Sequence, residues 1–94
     1  MTRIPPEALR ALRDAVPLSR VITYLHIPVK RRGRRATFRC PGCQAYHTAL
    51  NPHRNLARCF PCSRDFNPID LVMAERQLSF LEAVHYLEDI LHRT

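Results

Sequence analysis

Four cysteines are the residues whose type and spacing most constrain the chemistry of this 94-residue chain. They read Cys40-Pro41-Gly42-Cys43 and Cys59-Phe60-Pro61-Cys62, a C-x2-C-x15-C-x2-C pattern within the spacing of structural zinc sites. Two cysteines three apart on a tight turn aim both sulfurs at one point, and two such turns complete a tetrahedron. Pro41-Gly42 is a turn dipeptide, because Pro presets φ and Gly accepts a positive φ. Pro61 shapes a similar second turn with no Gly after it. Disulfides would need an oxidising compartment, and nothing in the chain points to export. A thioredoxin-type redox site uses one CxxC in a βαβ setting, not two bracketing a ribbon. Iron in a rubredoxin-like knuckle would use the same four sulfurs, so ligand type alone does not separate it from the zinc that the spacing favours. His47 and His53 lie nearby, but four thiolates already close the tetrahedron, and both are expected at the surface or against a nucleic acid. One Zn²⁺ held by four protein ligands has no open position for water, so its role is structural.

The elements that must position these ligands follow from caps and periodicity. Pro5, Pro6 and Glu7 open a helix to about Asp14, since proline is tolerated in the first turn. Leu18, Val21, Ile22 and Leu25 stand at i, i+3, i+4 and i+7, and Pro28 closes that second helix. Lys30-Arg31-Arg32-Gly33-Arg34-Arg35 reads as a charged loop pivoting on Gly33. Residues 36–40, 46–50 and 56–60 read as short strands, the last two joined by a turn over 51–55. Alternation sets Thr37 and Arg39 on one face of the first strand and Phe38 on the other. Asn67-Pro68 caps a helix over 68–76, and Ser79-Phe80-Leu81-Glu82 is a capping box for a helix running to about His92. In that last helix Phe80, Ala83, Val84, Leu87 and Leu91 form the inward stripe. The expectation is α+β: a small zinc ribbon with a three-stranded antiparallel sheet, core 36–62, flanked by N-terminal helices and by C-terminal helices over 68–92. At 11.0 kDa this is a single domain over 1–94. A core this small is marginal, and zinc supplies on the order of 10 kcal/mol of folding free energy.

Charge narrows the class of partner. Fourteen of the fifteen basic residues are Arg, and they are unevenly placed. Residues 1–29 carry +2, residues 30–64 carry +9 with no acid at all, and residues 65–94 carry −4. Four thiolates on one Zn²⁺ lower the formal +7 to nearer +5. A basic middle beside an acidic tail is the asymmetry of a polyanion binder. No apolar run approaches the ~20 residues of a membrane helix, and the first residues lack the apolar stretch of a secretory signal. A cytoplasmic protein with no membrane partner is expected.

Taken together, these motifs resemble the zinc-binding domain of bacterial replicative primases. Val16 to Leu25 stands where that family has its leading helix, Cys40-Pro41-Gly42-Cys43 at its first knuckle and Arg58-Cys59-Phe60-Pro61-Cys62 at its second. Ile69-x-Leu71-Val72 matches the penultimate helix, and Ser79-Phe80-Leu81-Glu82-Ala83-Val84 the last. The similarity spans about residues 16–91. Two CxxC knuckles are common to many zinc ribbons; their order together with the Ser-Phe-Leu-Glu-Ala-Val helix is far more specific. Three departures mark a divergent member. Cys43 replaces the family's usual His, His47-Thr48-Ala49-Leu50 stands where the family has Thr-Pro-Ser-Phe, and Asp65-Phe66-Asn67 replaces Gly-Gly-Asp. The resemblance implies recognition of single-stranded template. It does not extend to the acidic domain that binds Mg²⁺ and joins ribonucleotides, and no P-loop or nucleophile–base constellation is present. A binding module rather than an enzyme is therefore expected, either excised or free-standing as an accessory in DNA replication of a bacterial or mobile element. The Met1 start and a self-contained closing helix favour the free-standing case.

Arg39 and Arg58 on the ribbon, Arg31, Arg32, Arg34 and Arg35 on the approach loop, and Arg54 in the turn are the candidates to neutralise phosphates. Phe38, Tyr46 and Phe60 are the candidates to stack unpaired bases, with Phe38 and Phe60 equally able to serve as core. Phe66 and Tyr86 are expected to pack. Arg13, Arg20 and Arg76 belong to helix faces. Glu82, Glu88 and Asp89 on the last helix could dock a basic partner such as a primase, polymerase or helicase. Two other readings use the same residues: a ribbon for structured RNA or duplex, and a protein-docking module.

Overall fold

In the computed structural model, residues 4–33 and 35–93 are described; Arg34 and the side chains of Arg32 and Arg35 lie outside the described residues. Two helices come first. Helix α1 (Pro6–Ala15) starts behind Pro5 with proline in its first turn, Glu7 near its N-terminus and Arg13 in its last turn, charges that oppose the helix dipole. Helix α2 (Leu18–Leu25) buries Leu18, Val21, Ile22 and Leu25, the i, i+3, i+4, i+7 set, and stops at His26 in the left-handed conformation.

Among the described residues the sheet has five strands, not three. In chain order they are β1 (Val29–Arg32), β2 (Arg35–Phe38), β3 (Thr48–Asn51), β4 (Leu56–Cys59) and β5 (Arg64–Phe66). They form an antiparallel meander in which each strand pairs with the next. The basic stretch expected as a loop is therefore a hairpin. Arg32 pairs with Arg35, and Gly33 turns the chain at φ 60°, a value that favours glycine. An edge strand made of Lys and Arg lacks the apolar alternation that announces a strand, and such charges are how sheets protect an open edge. β5 was hidden for a related reason: it is three residues long and only Phe66 is buried.

Register divides the sheet into two faces. Phe38, Thr48, Cys59 and, one register pair along, Ala57 and Phe66 lie on the inner face, and all are buried. Lys30, Thr37, Ala49, Arg58 and Asp65 pair in sequence across all five strands and form one outer row. The helices meet the sheet at its β5 end: α3 (Pro68–Arg76) packs on α2 and β5, and α4 (Phe80–His92) packs on α1, α2 and α3. Leu71 and Val72 of α3 and Ala83, Val84, Leu87 and Ile90 of α4 complete the core.

Both C-terminal caps form. The Asn67 side-chain oxygen accepts from the Asp70 N–H at 2.8 Å. The Glu82 N–H donates to Ser79 Oγ at 3.2 Å, and the Ser79 N–H to Glu82 Oε1 at 2.9 Å. Phe80 departs from the expected stripe: in the first turn of α4 it lies 44% exposed, and Ile90 at 2% takes the inward position. Asn55, left-handed at φ 52°, ties the β3–β4 turn to the helices. Its Nδ2 donates to the Arg13 and Val16 carbonyls at 2.6 and 2.9 Å, and its Oδ1 accepts from the Leu18 N–H at 2.7 Å. No helix among the described residues is long and apolar enough to cross a membrane.

Candidate metal centre and nucleic-acid interface

Each pair of cysteines sits on a turn leaving a strand: Cys40 and Cys43 follow β2, and Cys59 and Cys62 span the β4–β5 connection. The two turns share one form. The residue after each second cysteine, Gln44 or Ser63, takes the left-handed conformation at φ 65° or 57°. Gly42, expected to supply the positive φ, does not adopt one. Its lack of a Cβ serves a close approach instead, since a methyl there would lie 2.9 Å from the Arg64 guanidinium. The turn also brings N–H groups onto sulfur, as in Gly42 N–H to Cys40 Sγ at 3.3 Å.

The four sulfurs all lie within 4.8 Å of one another. Cys40 to Cys62 is 3.7 Å and Cys43 to Cys59 is 3.4 Å. A tetrahedron with Zn–S of ~2.3 Å has edges of roughly 3.8 Å, so the cluster fits the ion with small adjustments. Together the cysteines form a zinc-binding site. Cys40 and Cys59 are buried, while Cys43 and Cys62 reach the surface. The thiols also titrate as a set. Burial opposes ionisation of Cys59, yet the Cys62 N–H and the thiols of Cys62, Cys43 and Cys40 outweigh it and lower Cys59 to about 6. Cys62, donating to Cys59 and partly desolvated, is pushed up to about 12. The Ala45 N–H favours the Cys43 thiolate, but donation to Cys59 and partial burial raise that thiol on balance. A divalent ion displaces these shared protons and leaves four thiolates. His47 and His53 are exposed and stand outside the cluster.

The residues expected on nucleic acid are sorted by their surroundings. Phe38 is 2% exposed on the inner face, so its ring cannot reach a base without unfolding the core, and it is corrected from stacking candidate to core. Phe60, at the tip of the second knuckle, is 64% exposed. Tyr46 is half-buried with the Lys30 ammonium 4.4 Å from its ring centre, a cation–π contact. Arg31 and Arg54 are exposed. Arg39 and Arg58 are both already paired. Arg39 reaches Glu75 of α3 at 3.5 Å with its Nε buried and unpartnered. Arg58 Nη1 donates to both Asp65 oxygens, at 3.0 and 3.2 Å, from the outer face.

A shallow trough of about 410 Å³ runs along that outer face, bounded by Arg54, Leu56, Arg58, Phe60 and Asp65 over Ala49. Ala49 occupies the position where the resembled family carries Ser, so no hydroxyl lines the floor there. Thr48, its neighbour, points inward and is fully buried. Sequence reading missed three contributors. Lys30 was grouped with a loop, and Asp65 lies just beyond the acid-free stretch. Arg64, whose guanidinium lies 4.9 Å from the Phe66 ring centre, had no signal beyond its place after Cys62. The acids of α4 are engaged locally: Glu82 in the capping box, Glu88 with His85 at 3.2 Å, and Asp89 with Arg93 at 3.0 Å. Phe66 is core, and Tyr86 packs half-buried against it.

Residues 4–94 match the family described as CHC2 zinc finger, the zinc ribbon of DnaG-type primases. Among curated proteins the chain is similar to a DNA primase of Listeria monocytogenes and one of Listeria innocua. Each is 27% identical over an alignment 94 residues long that covers 98% of this chain and 15% of the primase. The chain thus spans a small part of these relatives' length, and the matched part is the zinc-binding domain, not the catalytic one.

Proposed function

The chain belongs to the CHC2 zinc finger family, and from that membership we propose that it binds single-stranded DNA on the outer face of its sheet. It serves primase-type replication as a template-binding module and performs no catalysis itself. One observation carries the reading: Lys30, Thr37, Ala49, Arg58 and Asp65 form a row across all five strands, on the face opposite the buried Phe38, Thr48, Ala57, Cys59 and Phe66. The open face bears Lys30 and Arg58 in one row, with exposed Phe60 and half-buried Tyr46 at its knuckle end. Such a surface suits unpaired strands, whose bases stack on aromatic rings while cations follow the phosphates. Lys30 and Arg54 are the proposed phosphate contacts on that face; Arg31, one residue beyond Lys30, projects from the other side of the edge strand. Zinc holds the two knuckles, and therefore Phe60 and Tyr46, in place. The module would act alongside a catalytic primase domain that uses the bound template.

Anisotropy of labelled single-stranded DNA, matched duplex and matched RNA, titrated with zinc-loaded protein across a salt series, tests this. The single DNA strand should bind best, with affinity falling steeply as salt rises. Lys30→Ala with Arg54→Ala should flatten the logarithmic salt slope by about 1.4, from ~0.7 per neutralised phosphate of a single strand. Preference for duplex or structured RNA would assign the face to that ligand instead. Absence of binding at low salt would leave protein docking as the use of the basic surface.

A further inference from the structure

The outer-face trough has features that a phosphate track does not need. At its edge stands Arg58, 51% exposed and held by Asp65, which is 61% exposed. Both hydrogen bonds leave from the same nitrogen, Nη1. The Nε–Nη2 edge of the guanidinium therefore retains two parallel donors, with the carboxylate tethering the opposite Nη1 corner. Opposite Arg58 on β3 is Ala49, whose methyl leaves the space in front of that edge open. Two residues beyond Arg58 the Phe60 ring stands 64% exposed, and it bounds the same trough. A flat aromatic wall, a small floor and a clamped two-donor fork are the parts of a site for one planar base. A simple phosphate contact would gain nothing from an acid that cancels the charge of its arginine.

We propose that this trough is a single-base pocket selecting an unpaired guanine in the bound strand; it rests on the single-stranded DNA reading above and deepens it. The guanine stacks on Phe60 and turns its O6 and N7 toward the Arg58 fork, the two-acceptor edge that pairs with two parallel donors. Adenine places an amino donor where O6 would be, facing an N–H of Arg58. Thymine offers no pair of adjacent acceptors; cytosine has one in O2 and N3, but its single ring gives Phe60 a smaller stacking surface than guanine's two. Asp65 acts through Arg58 as a positioning residue: it gives up attraction for phosphate in exchange for orientation.

Oligothymidylates of about a dozen nucleotides, carrying one central guanine, adenine, hypoxanthine or 7-deazaguanine, are titrated with zinc-loaded protein by anisotropy. Guanine should bind about five- to twenty-fold tighter than adenine, the lower part of the range for a two-bond base contact because the fork is half exposed. Hypoxanthine keeps O6 and N7 and should match guanine; 7-deazaguanine lacks N7 and should fall toward adenine. Arg58→Met with Asp65→Leu removes the donors and their acid together at no change in net charge, so oligothymidylate binding should persist while the guanine preference vanishes. Asp65→Asn should move the two quantities in opposite directions, with tighter binding to every strand and weaker preference for guanine. Equal affinity for guanine and adenine strands, or a preference that survives the paired Arg58→Met and Asp65→Leu change, overturns the pocket while the template-binding reading stands. Failure of every strand to bind overturns both.

Discussion

Arg39 and Arg58 look alike along the chain, two arginines in a ribbon between cysteine pairs, and their surroundings give them different work. Arg39 leans on α3, its Nη2 3.5 Å from Glu75, and that carboxylate side chain is only 14% exposed. Truncating Arg39 leaves a mostly buried acid without its partner. Arg39→Ala should therefore lower the unfolding free energy by about 1–3 kcal/mol and leave the salt slope of DNA binding nearly unchanged. Urea midpoints of the zinc-loaded protein, set beside the anisotropy series, check both halves. Arg58→Ala, on the open face, should change stability little and abolish the preference for guanine strands instead. Asn55 is a second residue whose worth depends on where it sits. Its three hydrogen bonds to the α1–α2 junction serve backbone groups that Ala cannot reach. Asn55→Ala should cost about 2–4 kcal/mol, read from the same urea titration.

At the scale of elements, the two C-terminal helices begin on strong local signals. The capping box of α4 also carries a pH signature. Glu82 sits below its ordinary value, because the Ser79 backbone N–H and then the Ser79 side chain favour the carboxylate. A lowered folded value means that the carboxylate's contribution is fully present above pH 4.5, the unperturbed value, and is lost as pH falls through the lower folded one. Wild type and Glu82→Gln should therefore differ in thermal midpoint at neutral pH and converge in acid. Comparing midpoints across pH isolates this from acid release of zinc, which both proteins share. The β1–β2 hairpin is the opposite case, an element with weak local signals that exists because β2 offers it a partner. Its Lys and Arg residues keep the open edge from pairing with a second sheet while placing Lys30 over Tyr46.

For the whole molecule, the metal and the helical layer share the burden of stability. Thirteen ångströms of Cα radius of gyration (13.1 Å) enclose a core in which Cys40 and Cys59 are themselves buried members. The knuckles are therefore continuous with the apolar interior. Removing zinc returns protons to the sulfurs, two of which, on Cys40 and Cys59, lie in that interior. A strong chelator should accordingly abolish the cooperative thermal transition and reduce the far-UV signal, with recovery on adding Zn²⁺. An unchanged spectrum would mean that the helices hold the fold unaided. Charge follows the same division of labour. The acid-free stretch 30–64 builds nearly all of β1 to β4, both knuckles and the first residue of β5, and residues 65–94 supply the rest of β5 and the last two helices. One face of one sheet is thereby left both open and basic.

What the sequence by itself determined were the features whose causes are local. Thiolate spacing set the metal ligands, because each pair must meet one ion within a single turn. Asn67, Ser79 and Glu82 set the starts of α3 and α4, because a cap acts over three residues. The 3.6-residue stripe of α2 set its buried side. Tertiary structure alone decided what depends on neighbours far along the chain. β1 and β5 became strands through hydrogen bonds to β2 and β4, against side chains that carry little strand signal. Phe38 and Phe60 were equivalent candidates until packing enclosed one face of the sheet, burying the first and leaving the second in water. Arg39 met Glu75, thirty-six positions on, and Arg58 met Asp65 across a strand pair. Charge counting could locate the basic region, but only packing chose which cations are spent on partners within the protein, since Coulomb and hydrogen-bond energies depend on distances that no spacing in the chain encodes.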